Sequence, residues 1–379
     1  MLNGPLTVLQ ILPSLESGGV ERGTLEVGAE LVRRGHRSLV VSGGGRMVAD
    51  LEETGSKHFT ANVGKKSPLT LRWMSWLKGL MRSEQVDIVH ARSRVPAWVT
   101  WLAWKSLPES QRPRLVTSVH GQYSVSRYSE IMTSGEVVIA VSNTIRDYIH
   151  ANYPRVPSEK IRIIHRGVDP AEFPRNFEPP VAWTKSFCEQ FPRTHGRRLI
   201  TLPGRITRLK GHDDLLRMLA ELKSRGLPVH GLIVGSEAPR KAQYAQDIRD
   251  LVVRLGLEDD VTFTGLRSDM KEIYAISDLV VSLSSKPESF GRTVLEALSL
   301  GTPVLGYSHG GVGEILAKVF PDGAVQPGDI GQLSDQAEAL LNTATAVPEV
   351  NAFRLQDMLD QTIGLYEELA GRERLRRAA

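Results

Sequence analysis

The chain has 379 residues, 47 Lys and Arg against 43 Asp and Glu, and 41% hydrophobic residues, which is too long for one ordinary core and predicts roughly two globular domains. The single Cys188 excludes an internal disulfide and fits a reducing cytoplasm, and the sequence has no Cys/His cluster at metal-ligand spacing. The longest apolar segment, 95–104, is too short for a membrane span, and the modest basic excess without an aromatic-interleaved stripe argues against nucleic acid.

The first β-rich run, 7–12, leads into Gly18 and Gly19 and then a helical pattern ending at Gly35. Strand, glycine loop and helix is an order that cradles phosphate, but the full G-x-G-x-x-G is absent and a plain tight turn explains it too. Further β-rich runs at 38–42, 86–90, 115–120, 137–141 and 161–164 alternate with helical patterns, as in a parallel sheet with crossover helices. Arg92 and Arg94 follow the third run, upstream of Trp98; charge and ring stacking there suit a phosphorylated or sugar acceptor, with a solvated loop and a core tryptophan as the alternative. His120 closes the fourth run, where a histidine is most often structural. Residues 1–190 hold 24 Lys and Arg against 18 Asp and Glu, so the first half suits an anionic acceptor or an anionic membrane surface.

Residues 169–183 contain four prolines and read as a linker. The alternation then restarts at 199–202, 229–234, 261–264, 279–283, 303–307 and 324–326, predicting a second doubly wound domain. Arg205 and Lys210 flank the loop after 199–202; a guanidinium and an ammonium there would neutralise a diphosphate without a metal, unless the loop is simply basic. Gly265 and Leu266 end the 261–264 run as a generic turn. Pro287 discourages helix at Lys286, and Val294, Leu295, Leu298 and Leu300 fit a short helix ended by Gly301. The amides of Phe290, Gly291 and Arg292 would then lie at a helix N-terminus, which favours a phosphate. Glu288 stands in the loop before it and Glu296 about two turns in. One carboxylate would face a sugar and the other ribose hydroxyls; the alternative is a helix cap and a solvated face. Residues 353–369 have helical spacing without a stated destination, and the basic 371–379 reads as a solvated tail.

The E-x7-E pattern from Glu288 to Glu296 with Phe290 and Gly291 inside it, followed by the GTPV run at 301–304, resembles the donor site of family 4 retaining glycosyltransferases of the GT-B fold, and residues 90–98 resemble members that extend lipopolysaccharide core. Ser289 and Arg292 depart from the small or apolar residues usual around that step. The resemblance implies two Rossmann-like doubly wound α/β domains facing across a cleft. Residues 1–175 would be the acceptor-side domain, 176–190 a linker, 191–352 the donor domain, and 353–379 a helix returning to the first. It implies Glu288, His120, Arg205 and Lys210 as catalytic residues. Gly18, Gly19, Gly265, Leu266, Phe290, Gly291, Arg292 and Glu296 would bind the donor, and Arg92 and Arg94 the acceptor. The co-substrate would be a nucleotide-diphosphate sugar, most simply UDP-linked, used without metal or other cofactor. The acceptor would be a glycan on an envelope lipid, reached from the cytoplasmic face of the membrane. Two alternatives remain: a nucleotide-sugar epimerase of the same fold, and a non-catalytic sugar-nucleotide-binding protein.

Overall fold

In the computed structural model the described residues are 4–16, 18–237, 242–343 and 345–378, with side chains described for all of these except Pro68 and 372–378. The basic side chains beyond Gly371 therefore lie outside the described residues. The chain divides into two compact units, residues 1–166 with 355–379, and residues 167–354.

The first unit is built on seven strands: β1 (Thr7–Ile11), β2 (Arg37–Ser42), β3 (Lys57–Thr60), β4 (Ile88–Ala91), β5 (Arg114–Val119), β6 (Val137–Ala140) and β7 (Ile161–Ile163). They form one sheet in the order β3-β2-β1-β4-β5-β6-β7, with every pairing parallel. Such a sheet is covered on both faces, which is why β1, β4 and β6 are continuous buried runs instead of alternating ones. Strand β3, Lys-His-Phe-Thr, escapes the sequence reading: it lies at the sheet edge, half exposed, and carries no such run. The order reverses between β1 and β4, and the loops after their carboxyl ends open at that switch point.

The last helix, Leu355–Ala378, belongs to this unit. Its Met358, Leu359, Ile363, Tyr366 and Leu369 pack with Leu6, Val8, Val27 and Leu31 in one buried cluster. Gln356 donates to Glu30 at 3.3 Å, adding a polar tie to the helix Gly19–Arg33. Arg33, then Arg34 and Gln356, outweigh burial and hold the Glu30 carboxyl at about 2.

The second unit has β8 (Arg198–Pro203), β9 (Val229–Val234), β10 (Val261–Gly265), β11 (Leu279–Ser282), β12 (Val304–Tyr307) and β13 (Ala324–Val325). The order is β10-β9-β8-β11-β12-β13, again all parallel, and it reverses between β8 and β11. Within the proline-rich stretch, Val181–Gln190 is helical, with Pro180 at its N-cap and the stacked rings of Trp183 and Phe187 along one side. The hydrophobic core runs continuously from Leu202 and Leu219 through Val280 to Leu298 and Leu316, fixing the strands whose ends carry the polar loops.

Candidate functional site

In the second unit, the two strands flanking the switch point deliver the charged residues. The loop after β8 carries Arg205 and Lys210, and the loop after β11 carries Glu288. Lys210 Nζ donates to Glu288 Oε1 at 2.7 Å, and the Ser284 hydroxyl donates to the same oxygen. Burial pushes the Glu288 carboxyl up, but the charge and hydrogen bond of Lys210, with Ser284 and then His309, outweigh it and hold the group below its ordinary value. His309 Nε2 lies 2.8 Å from the Ser284 carbonyl; a carbonyl only accepts, so this ring nitrogen carries the proton. Ser284 had no motif to mark its contact with the Glu288 loop.

The Glu288 loop is locked by backbone. Its carbonyl accepts from Gly311 N–H at 2.7 Å, and a Cβ at Gly311 would stand 2.3 Å from Phe290 Cα, so only glycine allows this approach. Phe290 itself is 5% exposed and packs in the core against Phe353, leaving its backbone as the part that could meet a ligand. The helix Arg292–Leu300 then starts with Gly291 as N-cap and no side-chain cap. Val294 and Leu295 N–H already donate to the Gly291 carbonyl at 3.1 and 3.2 Å, and the positive end of the helix dipole lies towards the preceding loop.

Glu288 does not cap this helix, and Glu296 is not on a solvated face. The latter is 8% exposed, accepts from Arg292 Nε at 2.9 Å, and has the Tyr274 hydroxyl at 3.5 Å. Arg292 is thus occupied one turn before its glutamate. Arg205 is exposed and forms no hydrogen bond or ion pair among the described residues. Arg208, beside it, is occupied by Asp247 at 2.8 Å. Gly265 and Leu266 lie at the end of edge strand β10, with Leu266 63% exposed and the β10–β9 register shifting at Gly265.

In the first unit, the ends of β4, β5 and β7 gather a cationic cluster. Arg92 is 3% exposed and His90 1%. His90 bridges Tyr366 Oη and Ser118 Oγ at 2.6 Å each. Burial, then Arg92 and Arg166, pull the His90 imidazole far below its usual range. His120 Nδ1 lies 3.0 Å from Arg166 Nη2, a partner the sequence reading did not single out because Arg166 sits alone between a short strand and a turn. Arg94 holds its guanidinium over the rings of Tyr123 and Tyr128 at 4.7 and 5.5 Å. Gly18 caps the helix Gly19–Arg33 at the end of β1's loop.

Residues 17–172 match Glycosyltransferase Family 4, and residues 185–351 match Glycosyl transferases group 1. The structure of a glycosyltransferase from Rickettsia africae is 30% identical and aligns over 96% of this chain and 98% of that one, with a TM-score of 0.84. HepE from Anabaena, in complex with UDP and glucose, shares the fold at 20% identity over 96% of this chain and 100% of its own, TM-score 0.79. N-acetyl-alpha-D-glucosaminyl L-malate synthase of Bacillus anthracis is 26% identical across 344 residues, 87% of this chain and 85% of that enzyme. With two parallel doubly wound units and both halves matched, the chain belongs to the family 4 glycosyltransferases of GT-B type and is a transferase enzyme.

Proposed function

We propose that this enzyme moves a sugar, with retention of anomeric configuration, from a UDP-sugar to a glycan on an anionic envelope lipid, without a metal. The observation that carries the donor reading is the convergence of Lys210, Glu288 and the start of the helix Arg292–Leu300 around one switch point, with exposed Arg205 on the adjoining loop. Two cations and a helix N-terminus offset the charge of a departing diphosphate. In this reading the bond from the anomeric carbon to the phosphate oxygen breaks with its electron pair leaving on the phosphate. The acceptor oxygen bonds to that carbon on the same face, and its proton passes to the departing phosphate. Glu288 orients the sugar, Glu296 accepts from ribose hydroxyls, and the turn at Gly265 and Leu266 lies against the base. Gly18, Gly19, His120, Arg92 and Arg94 keep the substrate-facing roles that the resemblance implies.

For the acceptor, the supporting observation is a groove of about 520 Å³ in the first unit, lined by Leu71, Val95, Trp98 and Tyr128 and edged by Lys65 and Lys66. Leu71 in its lining is 51% exposed, and Leu69, two positions before it, is 72% exposed. Apolar surface next to lysines suits peripheral contact with an anionic leaflet. No helix among the described residues is long and apolar enough to cross a membrane.

Calorimetry against a panel of nucleotide sugars, with magnesium or EDTA, tests the donor. Micromolar, metal-independent binding of one UDP-sugar is expected, and its absence in every condition overturns the reading. Transfer assays with the bound donor then compare glycolipid acceptors with L-malate, since one relative is named for that acid. Turnover on malate alone would replace the lipid acceptor.

A further inference from the structure

The Arg166–His120 contact fixes a proton. A guanidinium has donors and no acceptor, so at 3.0 Å from Arg166 Nη2 the Nδ1 of His120 must accept, and the neutral ring carries its hydrogen on Nε2. That Nε2 is buried and has no hydrogen-bond partner among the described residues. His120 and Arg92, whose Nε is equally without a hydrogen-bond partner among the described residues, both line a cavity of about 20 Å³, beside Ser118, Val141 and Thr362. Two buried N–H donors on residues of one cavity wall are groups that an oxygen would satisfy.

The fold makes this contact deliberately close. A Cβ on Gly23 would fall 1.8 Å from Arg166 Nη1 and 3.0 Å from its Cζ, so the end of the guanidinium occupies space that any side chain there would take from it. Gly23 is interior to the helix Gly19–Arg33, where glycine costs about 1 kcal/mol against alanine, and nothing in its helical geometry asks for it. Its use is the room it leaves for Arg166.

We infer that Arg166 is the positioning residue that sets His120 as the neutral Nε2–H tautomer, making it a hydrogen-bond donor to a substrate oxygen and not a proton acceptor. The groups facing His120 agree with this. Burial lowers its pKa far below the ordinary value, and Arg166 after β7, Arg92 after β4 and His90 on β4 lower it further. The Tyr123 hydroxyl approaches only its backbone N–H, at 3.4 Å, while Glu26 acts on Arg92. The inference rests on the proposed substrate-facing role of His120 and deepens it: with Nδ1 engaged and Nε2 protonated, the ring has no lone pair for the acceptor's proton, which must leave by the departing phosphate.

The test is histidine-selective ¹⁵N labelling of the full chain, with long-range proton–nitrogen correlation spectra from pH 6 to 8 and His120 assigned by its loss in His120→Gln. The wild type should show an Nε2–H pattern that does not change across that range. Arg166→Met should give mixed tautomers, and lower kcat by about tenfold to a hundredfold with a much smaller change in donor KM. Arg166→Lys, which keeps a donor and a charge, should recover part of the tautomer preference. If Arg166→Met does not fold, Gly23→Ala displaces the same guanidinium and should shift the pattern in the same direction. A wild-type ring protonated on Nδ1, or a tautomer unchanged in both Arg166→Met and Gly23→Ala, overturns the inference. A lost preference with unchanged transfer supports the Arg166 assignment and overturns the substrate-facing role of His120 instead.

Discussion

Lys210 Nζ and Glu288 Oε1, 78 positions apart in the chain, meet at 2.7 Å. The cation proposed to hold a diphosphate and the carboxylate proposed to orient a sugar are therefore each other's partners before any donor arrives. Donor binding has to exchange this pair for contacts to phosphate and sugar. Glu288→Ala should accordingly release Lys210, keeping UDP affinity within about threefold, while transfer falls by at least about a hundredfold. Lys210→Ala should weaken UDP and also strand a largely buried carboxylate. Calorimetry and turnover on the same preparations separate these effects, and wild-type transfer in Glu288→Ala would remove that residue from the site.

Glu296 leads to a different expectation because its neighbour is Arg292. Removing the carboxylate leaves a guanidinium, 15% exposed, without this pairing, so a stability loss of about 3 kcal/mol accompanies any effect on ligand. The informative readout is the ratio of affinities for UDP and 2′,3′-dideoxy-UDP. In the wild type the hydroxyls should be worth about tenfold or more, and in Glu296→Ala that ratio should fall to near one. A ratio that survives the substitution places the ribose elsewhere.

These pairings explain which parts of the molecule were legible in the sequence. Strands such as β1, β4 and β6 are buried on both faces, so uninterrupted apolar runs announce them; β3 has an open edge and Lys57 and His58 in place of such a run. The helix 355–378 was readable from spacing, whereas its packing on Leu6 and Leu31 depends on shapes that no linear pattern carries. At the site, residue types and loop positions were readable because glycines and charges follow strand ends. Their partners were not: Lys210 with Glu288, and His120 with Arg166, are long-range contacts, and Ser284 and Gly311 act through a hydroxyl and an absent Cβ. The Arg292–Glu296 pair was within reach, since four residues on a helix is one turn.

Gly311 offers a test of how rigidly the Glu288 loop must be held. An added methyl would meet Phe290 backbone at 2.3 Å, and backbone cannot rotate away as a side chain can. Gly311→Ala should cost about 1–3 kcal/mol through overpacking and displace Glu288 from Lys210. The expected result in a denaturant titration is a lower midpoint with an unchanged slope. Transfer should fall more steeply than UDP affinity. A variant with wild-type stability and transfer would mean that the two loops are not coupled through this contact.

The buried histidines give the enzyme an acid limit whose sign can be worked out. Burial lowers His212 and His230 to about 4, and takes His90 and His120 well below the ordinary value, so each is neutral in the folded chain. The unfolded chain, with histidines near 6.5, binds more protons between these limits, so stability rises with pH there. The contribution is complete above about pH 6.5 and is lost as pH falls towards about 4, at up to about 1.4 kcal/mol per pH unit for each such group. Carboxylates add to the loss only lower down, as pH falls below the ordinary range of Glu30 and Glu288. His212 isolates the effect. Its side chain is fully buried, neither ring nitrogen has a well-formed hydrogen bond among the described residues, and its shift comes from burial, with Asp213 and the Thr207 backbone opposing and Lys210 assisting. His212→Phe keeps a ring against Tyr244 and removes the titration. Between pH 8 and pH 5 the wild type should lose about 2 kcal/mol more than this variant, the cost of leaving one histidine neutral 1.5 units below its unfolded pKa. Chemical denaturation at the two pH values measures that difference directly, and equal losses in both proteins would mean that His212 is protonated in the folded state.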